Sequence, residues 1–315
     1  MIAAVFPGQG AQKVGMGREL AEQFAVCRAT FAEADAALGE PLSTLCFEGP
    51  EEKLLLTEYT QPAILAVSVA IYRLAESRGI TPSFAAGHSL GEYSAHVAAG
   101  TLSFADALRT VRRRGRYMQE AVPLGEGAMA AVLGLDRDAV AAVCAEAGHE
   151  GVVTPANLNA PGQVVIAGHA RAVARAGELA KARGARRVMS LAVSAPFHCP
   201  LMKPAEDRLA PELRALAARS PRIPVVANVD AERKTDVPSA IDALIRQVSS
   251  PVRWEDVVRR LIDDGAGTFI EMGPGTVLAG LIKKIDSSVT VMSIENSQGL
   301  EKAVAALASR PTGER

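Results

Sequence analysis

Short apolar runs closed by glycine or proline alternate along the chain with longer stretches whose apolar residues recur at helical spacing. This is the pattern of an α/β layer fold with parallel strands. Ile2 to Phe6 is an uncharged apolar run ended by Pro7-Gly8-Gln9-Gly10, and an amphipathic stretch follows to about Leu38. A helix is predicted from Pro62 to about Arg78, because proline suits a first helical position and Ile64, Leu65, Ile71, Tyr72 and Leu74 form a buried stripe. Ser83 to Ala86 reads as a strand running into Gly87-His88-Ser89-Leu90-Gly91, and Glu92 to Ala99 as a helix of small residues.

Between about Pro123 and Leu191 the texture changes. Strands are predicted at Ala128–Leu133, Val152–Ala156, Gln163–Ala167 and Arg187–Leu191, and helices at Arg137–Ala147 and Arg171–Arg183. The order β-α-β-β-α-β is that of a ferredoxin-like unit, a self-sufficient sheet with two helices on one face. Residues 124–191 are therefore read as a small inserted domain, and residues 1–123 and 192–315 as a discontinuous large α/β domain. In the returning half, Pro224–Ala227 and Thr268–Glu271 read as strands, Asp256–Asp264 and Val277–Ile285 as helices, and the end from Ser309 as frayed.

Composition narrows the partners. The chain has 315 residues, enough for two domains, and its hydrophobic fraction of 49% supports a sizeable core. Lys and Arg number 34 against 35 Asp and Glu, so no global field draws the molecule to nucleic acid or an anionic membrane. With aromatics at 4% and a single Trp254, stacking platforms for nucleic acid are missing as well. Cys27, Cys46, Cys144 and Cys199 are scattered without CxxC spacing and read as reduced thiols of a cytoplasmic protein. The amino terminus lacks a basic segment and long apolar core, and Tyr59–Tyr72, the most apolar uncharged stretch, falls short of the roughly 18–20 residues of a membrane helix. No metal site or cofactor is expected.

Gly87-His88-Ser89-Leu90-Gly91 has the GxSxG spacing of a nucleophile elbow and falls between a predicted strand and a predicted helix, the context such an elbow requires. The glycines let strand and helix approach, and the Leu90 N–H at the helix start faces the reacting carbonyl. A serine hydroxyl needs a base to take its proton. Of five histidines, His88 adjoins the serine, His96 lies on the following helix, and His149 and His169 fall in polar turns. His198 remains, in the proline-bracketed loop Ser194-Ala195-Pro196-Phe197-His198-Cys199-Pro200. No orienting carboxylate is evident near it; a backbone carbonyl could serve. Gly8-x-Gly10 is followed by Lys13 where a dinucleotide loop has its third glycine, so this turn is either plain or a source of a second oxyanion donor. In Arg112-Arg113-Arg114-Gly115-Arg116, consecutive arginines point about 100° apart on a helix, so at most one or two turn inward, where an anion must pair with them. A bidentate carboxylate would suit.

Together these segments resemble the malonyl-CoA:acyl carrier protein transacylases and the acyltransferase domains of fatty-acid and polyketide synthases. The resemblance runs through FPGQG at Phe6–Gly10, TQPA at Thr60–Ala63, GHSLGEYSA at Gly87–Ala95, RGRYMQEA at Arg114–Ala121, NAPGQVVIAG at Asn159–Gly168, FHCPLM at Phe197–Met202 and QVSSPVRW at Gln247–Trp254. It implies an α/β-hydrolase-like large domain carrying a ferredoxin-like small one, with the site between them. It implies that malonyl-CoA acylates Ser89 with His198 as base and acid, and that Gln9 and Leu90 supply the oxyanion hole. Arg114 would hold the malonyl carboxylate, and the Gln247 carbonyl would orient His198. The partners implied are malonyl-CoA and an acidic acyl carrier protein, docked by part of the arginine cluster or by Lys181, Arg183, Arg186 and Arg187, with a monomeric chain supplying extender units for fatty-acid or polyketide synthesis. Phe197 before the histidine goes with malonyl rather than methylmalonyl, whose 2-methyl group its ring would crowd. Ala11 stands where many relatives have Ser. The rival class on the same GxSxG is an esterase or thioesterase, which would release free malonate.

Overall fold

The computed structural model describes residues 1–309; the frayed end expected from Ser309 lies, beyond Ser309 itself, outside them. Its strands are β1 (Ile2–Phe6), β2 (Phe84–Gly87), β3 (Gly127–Leu133), β4 (Val153–Ala160), β5 (Gln163–His169), β6 (Arg187–Ser190), β7 (Val225–Val226), β8 (Arg233–Lys234), β9 (Thr268–Met272) and β10 (Thr290–Ile294). The larger sheet has the order β10-β9-β1-β2-β7-β8 and is parallel except for the β7–β8 pair. Its central strands are covered on both faces, which is why they read as continuous apolar runs. Ala4 and Phe6 pack on one side with Leu65 and Val69 of the Thr57–Ser77 helix. Ala3 and Val5 pack on the other with Val257 and Leu261 of the Trp254–Asp263 helix and Ile282 of the Val277–Ile285 helix.

The second sheet has the order β4-β5-β3-β6, antiparallel throughout. Ala130 and Val132 of β3 face Val140 and Val173 on the helices Arg137–Ala147 and Ala170–Ala182. The alternate residues Met129 and Ala131 join the main core instead. The sheet is thus not self-sufficient: its second face is buried by the larger layer. A parallel bridge from Asn157 to Val252, with Leu158 N–H donating to Val252 O and Val252 N–H to Ala156 O at 2.8 Å each, ties β4 to the chain just beyond Gln247.

One further expectation is corrected. The helix predicted from Pro62 begins at Thr57, so the proline lies inside it and forfeits one helical hydrogen bond. That turn is held from outside, where the Thr60 hydroxyl donates to Leu54 O and Gly115 packs so closely that a Cβ there would lie 2.6 Å from Thr57 O. The amphipathic stretch to Leu38 is two helices, Arg18–Gln23 and Ala25–Leu38, separated by Phe24 in an extended conformation.

Candidate active site

The pairing of Phe6 with Gly87 sets the carboxyl ends of β1 and β2 side by side, and the site is built on the turns that leave them. Ser89 follows β2 with φ of 52°, a left-handed conformation that costs a non-glycine residue about 1–3 kcal/mol. Glycine is required nearby because the turns touch. A Cβ on Gly91 would lie 2.0 Å from Phe6 O, and one on Gly8 2.4 Å from His88 O. The Gln9 turn is thereby laid against the serine turn. Asn228, just after β7, spans the strained turn: its Oδ1 accepts from Ser89 N–H at 2.7 Å and its Nδ2 donates to Gly87 O at 2.7 Å.

His198, also left-handed at φ 60°, lies with Nε2 2.6 Å from Ser89 Oγ and Nδ1 2.9 Å from the main-chain oxygen of Gln247. A carbonyl only accepts, so Nδ1 carries the proton and Nε2 presents its lone pair to the serine. Burial, with the Arg114 charge adding to it, pulls the imidazole pKa down to about 3, so the ring is neutral across the ordinary pH range.

Arg114 alone of its cluster turns inward, 1% exposed on the Phe104–Glu120 helix. Arg112, Arg113 and Arg116 pair at the surface with Glu40, Glu212 and Glu120. The partners of Arg114 are neutral oxygens: its Nη1 donates to Gln61 Oε1 at 2.8 Å, and its Nη2 to Gln247 Oε1 at 2.8 Å and Ser89 Oγ at 3.2 Å. Its Nε has no partner among the described residues. Among the described residues no carboxylate bonds the guanidinium directly, although the cavity it borders leads to Ser89.

That cavity measures about 420 Å³ and is lined by Ser89, His198, Arg114, Gln9, Phe197 and Met129, the last from the second sheet. The structure thus brings together Ser89, His198, Arg114 and Gln247, with Gln9 on the cavity wall. Leu90 caps the helix Gly91–Ala98, and neither its N–H nor that of Gln9 has a hydrogen-bond partner among the described residues. Sequence reasoning missed Asn228, Gln61 and Glu92. Glu92 is fully buried one helical turn after the serine, and its Oε2 accepts from Gln247 Nε2 at 2.7 Å and Asn228 N–H at 3.0 Å. Burial pushes its carboxyl up to about 7, against the opposing pull of those two donors. Among the described residues there is no cluster suited to a metal ion, and no helix long and apolar enough to cross a membrane.

The fold and its relatives define an acyltransferase. Residues 4–309 match the acyl transferase domain family, and the chain belongs to that family. It is 50% identical over 307 residues to the malonyl CoA-acyl carrier protein transacylase of Bacillus subtilis (strain 168), covering 97% of each chain. Among solved structures, an acyl carrier protein S-malonyltransferase from Vibrio cholerae superposes with a TM-score of 0.94 at 50% identity, covering 96% of this chain and 99% of that one. A malonyl-transacylase in complex with its type II polyketide-synthase acyl carrier protein superposes with a TM-score of 0.95 at 47% identity, covering 97% and 99%.

Proposed function

We propose that this chain transfers the malonyl group of malonyl-CoA to the thiol of an acyl carrier protein through a malonyl ester on Ser89. His198 Nε2 takes the proton as Ser89 Oγ attacks the thioester carbon. The tetrahedral oxyanion is received by the N–H groups of Gln9 and Leu90, and collapse expels the CoA sulfur, which leaves with the proton from His198. The carrier thiol then gives its proton to the same nitrogen, attacks the ester carbon, and releases Ser89 with its hydroxyl restored. One thioester replaces another, so the task is kinetic: about 10²- to 10³-fold from an oxyanion donor and 10²- to 10⁴-fold from the base.

The observation that carries the reading is Arg114, a buried cation 3.2 Å from Ser89 Oγ and bonded, among the described residues, only to neutral oxygens. An acyl group ending in a carboxylate supplies the missing charge and reaches the guanidinium from the serine ester. An acetyl group leaves it unpaired. Intact-mass measurement after incubation with malonyl-CoA tests this. The parent gains one malonyl group and Ser89→Ala gains none; an unmodified parent, or a modified Ser89→Ala, refutes it.

Residues 124–191 are read as a ferredoxin-like small domain inserted into an α/β-hydrolase-like large domain of residues 1–123 and 192–315, supported by the strand order and pairing of the second sheet. The four buried, unpaired cysteines support a cytoplasmic setting. One chain contributes every group of the site, which supports a monomer as the working unit.

A further inference from the structure

Gln247 is the point through which the base and the arginine are held together, and its side-chain amide is a two-ended group whose direction must be fixed. Its Oε1 accepts from Arg114 Nη2 at 2.8 Å, while its Nε2 donates to Ser89 O at 2.9 Å and to Glu92 Oε2 at 2.7 Å. Were the amide reversed, its N–H groups would face the guanidinium and its oxygen would face two acceptors. We propose that Glu92 is a positioning residue for the arginine clamp: one oxygen of its buried carboxyl group fixes the Gln247 amide so that Gln247 points the Arg114 guanidinium at the acyl group's distal carboxylate. This rests on the reading of Arg114 given above. Among the described residues the Glu92 carboxyl hydrogen-bonds neither Ser89 Oγ nor His198, and its Oε1 has no partner, so its single bonded oxygen does the work. That oxygen also accepts from Asn228 N–H, the residue that spans the serine turn. The role belongs to the acceptor: a neutral amide that keeps a carbonyl at this position serves, and an apolar side chain of similar length does not.

The test compares malonyl and acetyl, the acyl group that ignores the clamp, by the rates at which malonyl-CoA and acetyl-CoA form the acyl-enzyme. Glu92→Met lowers the malonyl-over-acetyl ratio by about tenfold to a hundredfold, the loss of one charged hydrogen bond, and Glu92→Gln retains the ratio. A residue that merely supports the fold lowers the amount of active enzyme and leaves the ratio unchanged. An unchanged ratio in Glu92→Met, or an equal loss in Glu92→Gln, overturns the proposal. Should Glu92→Met fail to fold, Gln247→Leu, which keeps the main-chain oxygen facing His198, is expected to lose the ratio in the same way, and a retained ratio there overturns it equally. Arg114→Ala measured in parallel separates the two layers. If it keeps the ratio, the clamp reading fails; if it loses the ratio while Glu92→Met keeps it, the positioning role alone fails.

Discussion

Replacing Asn228 with alanine should disable the serine turn as well as destabilise the fold, and the structure sets the scale of both effects. The side chain satisfies two buried main-chain groups, the Ser89 N–H and the Gly87 carbonyl, each at 2.7 Å. Each group left unpaired costs about 1–3 kcal/mol, so Asn228→Ala should lose about 2–6 kcal/mol from a total stability of about 5–15 kcal/mol. The same two bonds hold Ser89 at φ 52°, a conformation that relaxes when its restraint is removed. Relaxation would carry Oγ away from its 2.6 Å contact with His198, and a displacement of about 1 Å is worth about 100-fold in rate. Urea unfolding measures the first effect, and single-turnover acylation by malonyl-CoA, followed by rapid quench and intact mass, measures the second. Asn228→Asp keeps an acceptor for Ser89 N–H but sets an oxygen against Gly87 O, and should fall between parent and alanine in both assays. The reasoning is wrong if Asn228→Ala unfolds within about 0.5 kcal/mol of the parent and acylates at the parent rate.

Because the folded-state pKa of His198 is about 3, below the ordinary histidine value of 6.5, its neutral form favours the fold above pH 6.5 and that advantage is lost as pH falls toward 3. His198→Ala should therefore lose about 2–3 kcal/mol less than the parent between pH 8 and pH 4.5; an equal loss would show a histidine of ordinary pKa. His96, also pulled to about 3, acts in the same direction. Glu92 and Glu271, pushed to about 7, act oppositely between 4.5 and 7, so the parent's steepest acid loss should come below about pH 4.5, read from urea midpoints across pH. Phe197 borders the cavity, and Phe197→Ser should improve methylmalonyl relative to malonyl acylation by about tenfold, the worth of room for one methyl group; an unchanged ratio would place the 2-methyl group elsewhere.

What the sequence made legible was local. The Arg137–Ala147 and Val277–Ile285 helices stand at the boundaries their periodicity predicts, and the serine turn announces itself by glycines two positions on either side. His198 emerged by elimination, and the inward turn of at most one or two arginines from helical geometry, before the family resemblance assigned any of them a role. The elements that escaped notice carry breaker residues or little apolar contrast. The Lys203–Arg214 helix holds Pro204 in its first turn and Pro211 inside, and the Val237–Arg246 helix opens with Pro238. The edge strand Thr290–Ile294 is only half-buried along most of its length, so its pattern lacks the continuous apolar run that marked β1.

The supporting polar groups were illegible for a different reason. A glutamate in the first turn of a helix reads from sequence as an exposed charge favoured by the helix dipole, and the Glu92 position invites that interpretation. The structure buries it completely, because the Gly91–Ala98 helix is wedged against the end of β1, where even a Cβ on Gly91 has no room. Once buried, the carboxyl needs donors, and they arrive from β7's exit turn through Asn228 and from the chain leaving the Val237–Arg246 helix through Gln247. Those positions share no spacing with the serine; only the parallel order of β1, β2 and β7 makes them neighbours. The consequence for the chemistry is a rigid coupling. Gln247 bonds His198 through its main-chain oxygen and Arg114 through its side chain, so the imidazole and the guanidinium are tied to one residue and cannot shift independently. On the function proposed above, an acyl group aligned by its far carboxylate is thereby presented to a serine whose proton acceptor is set by the same residue.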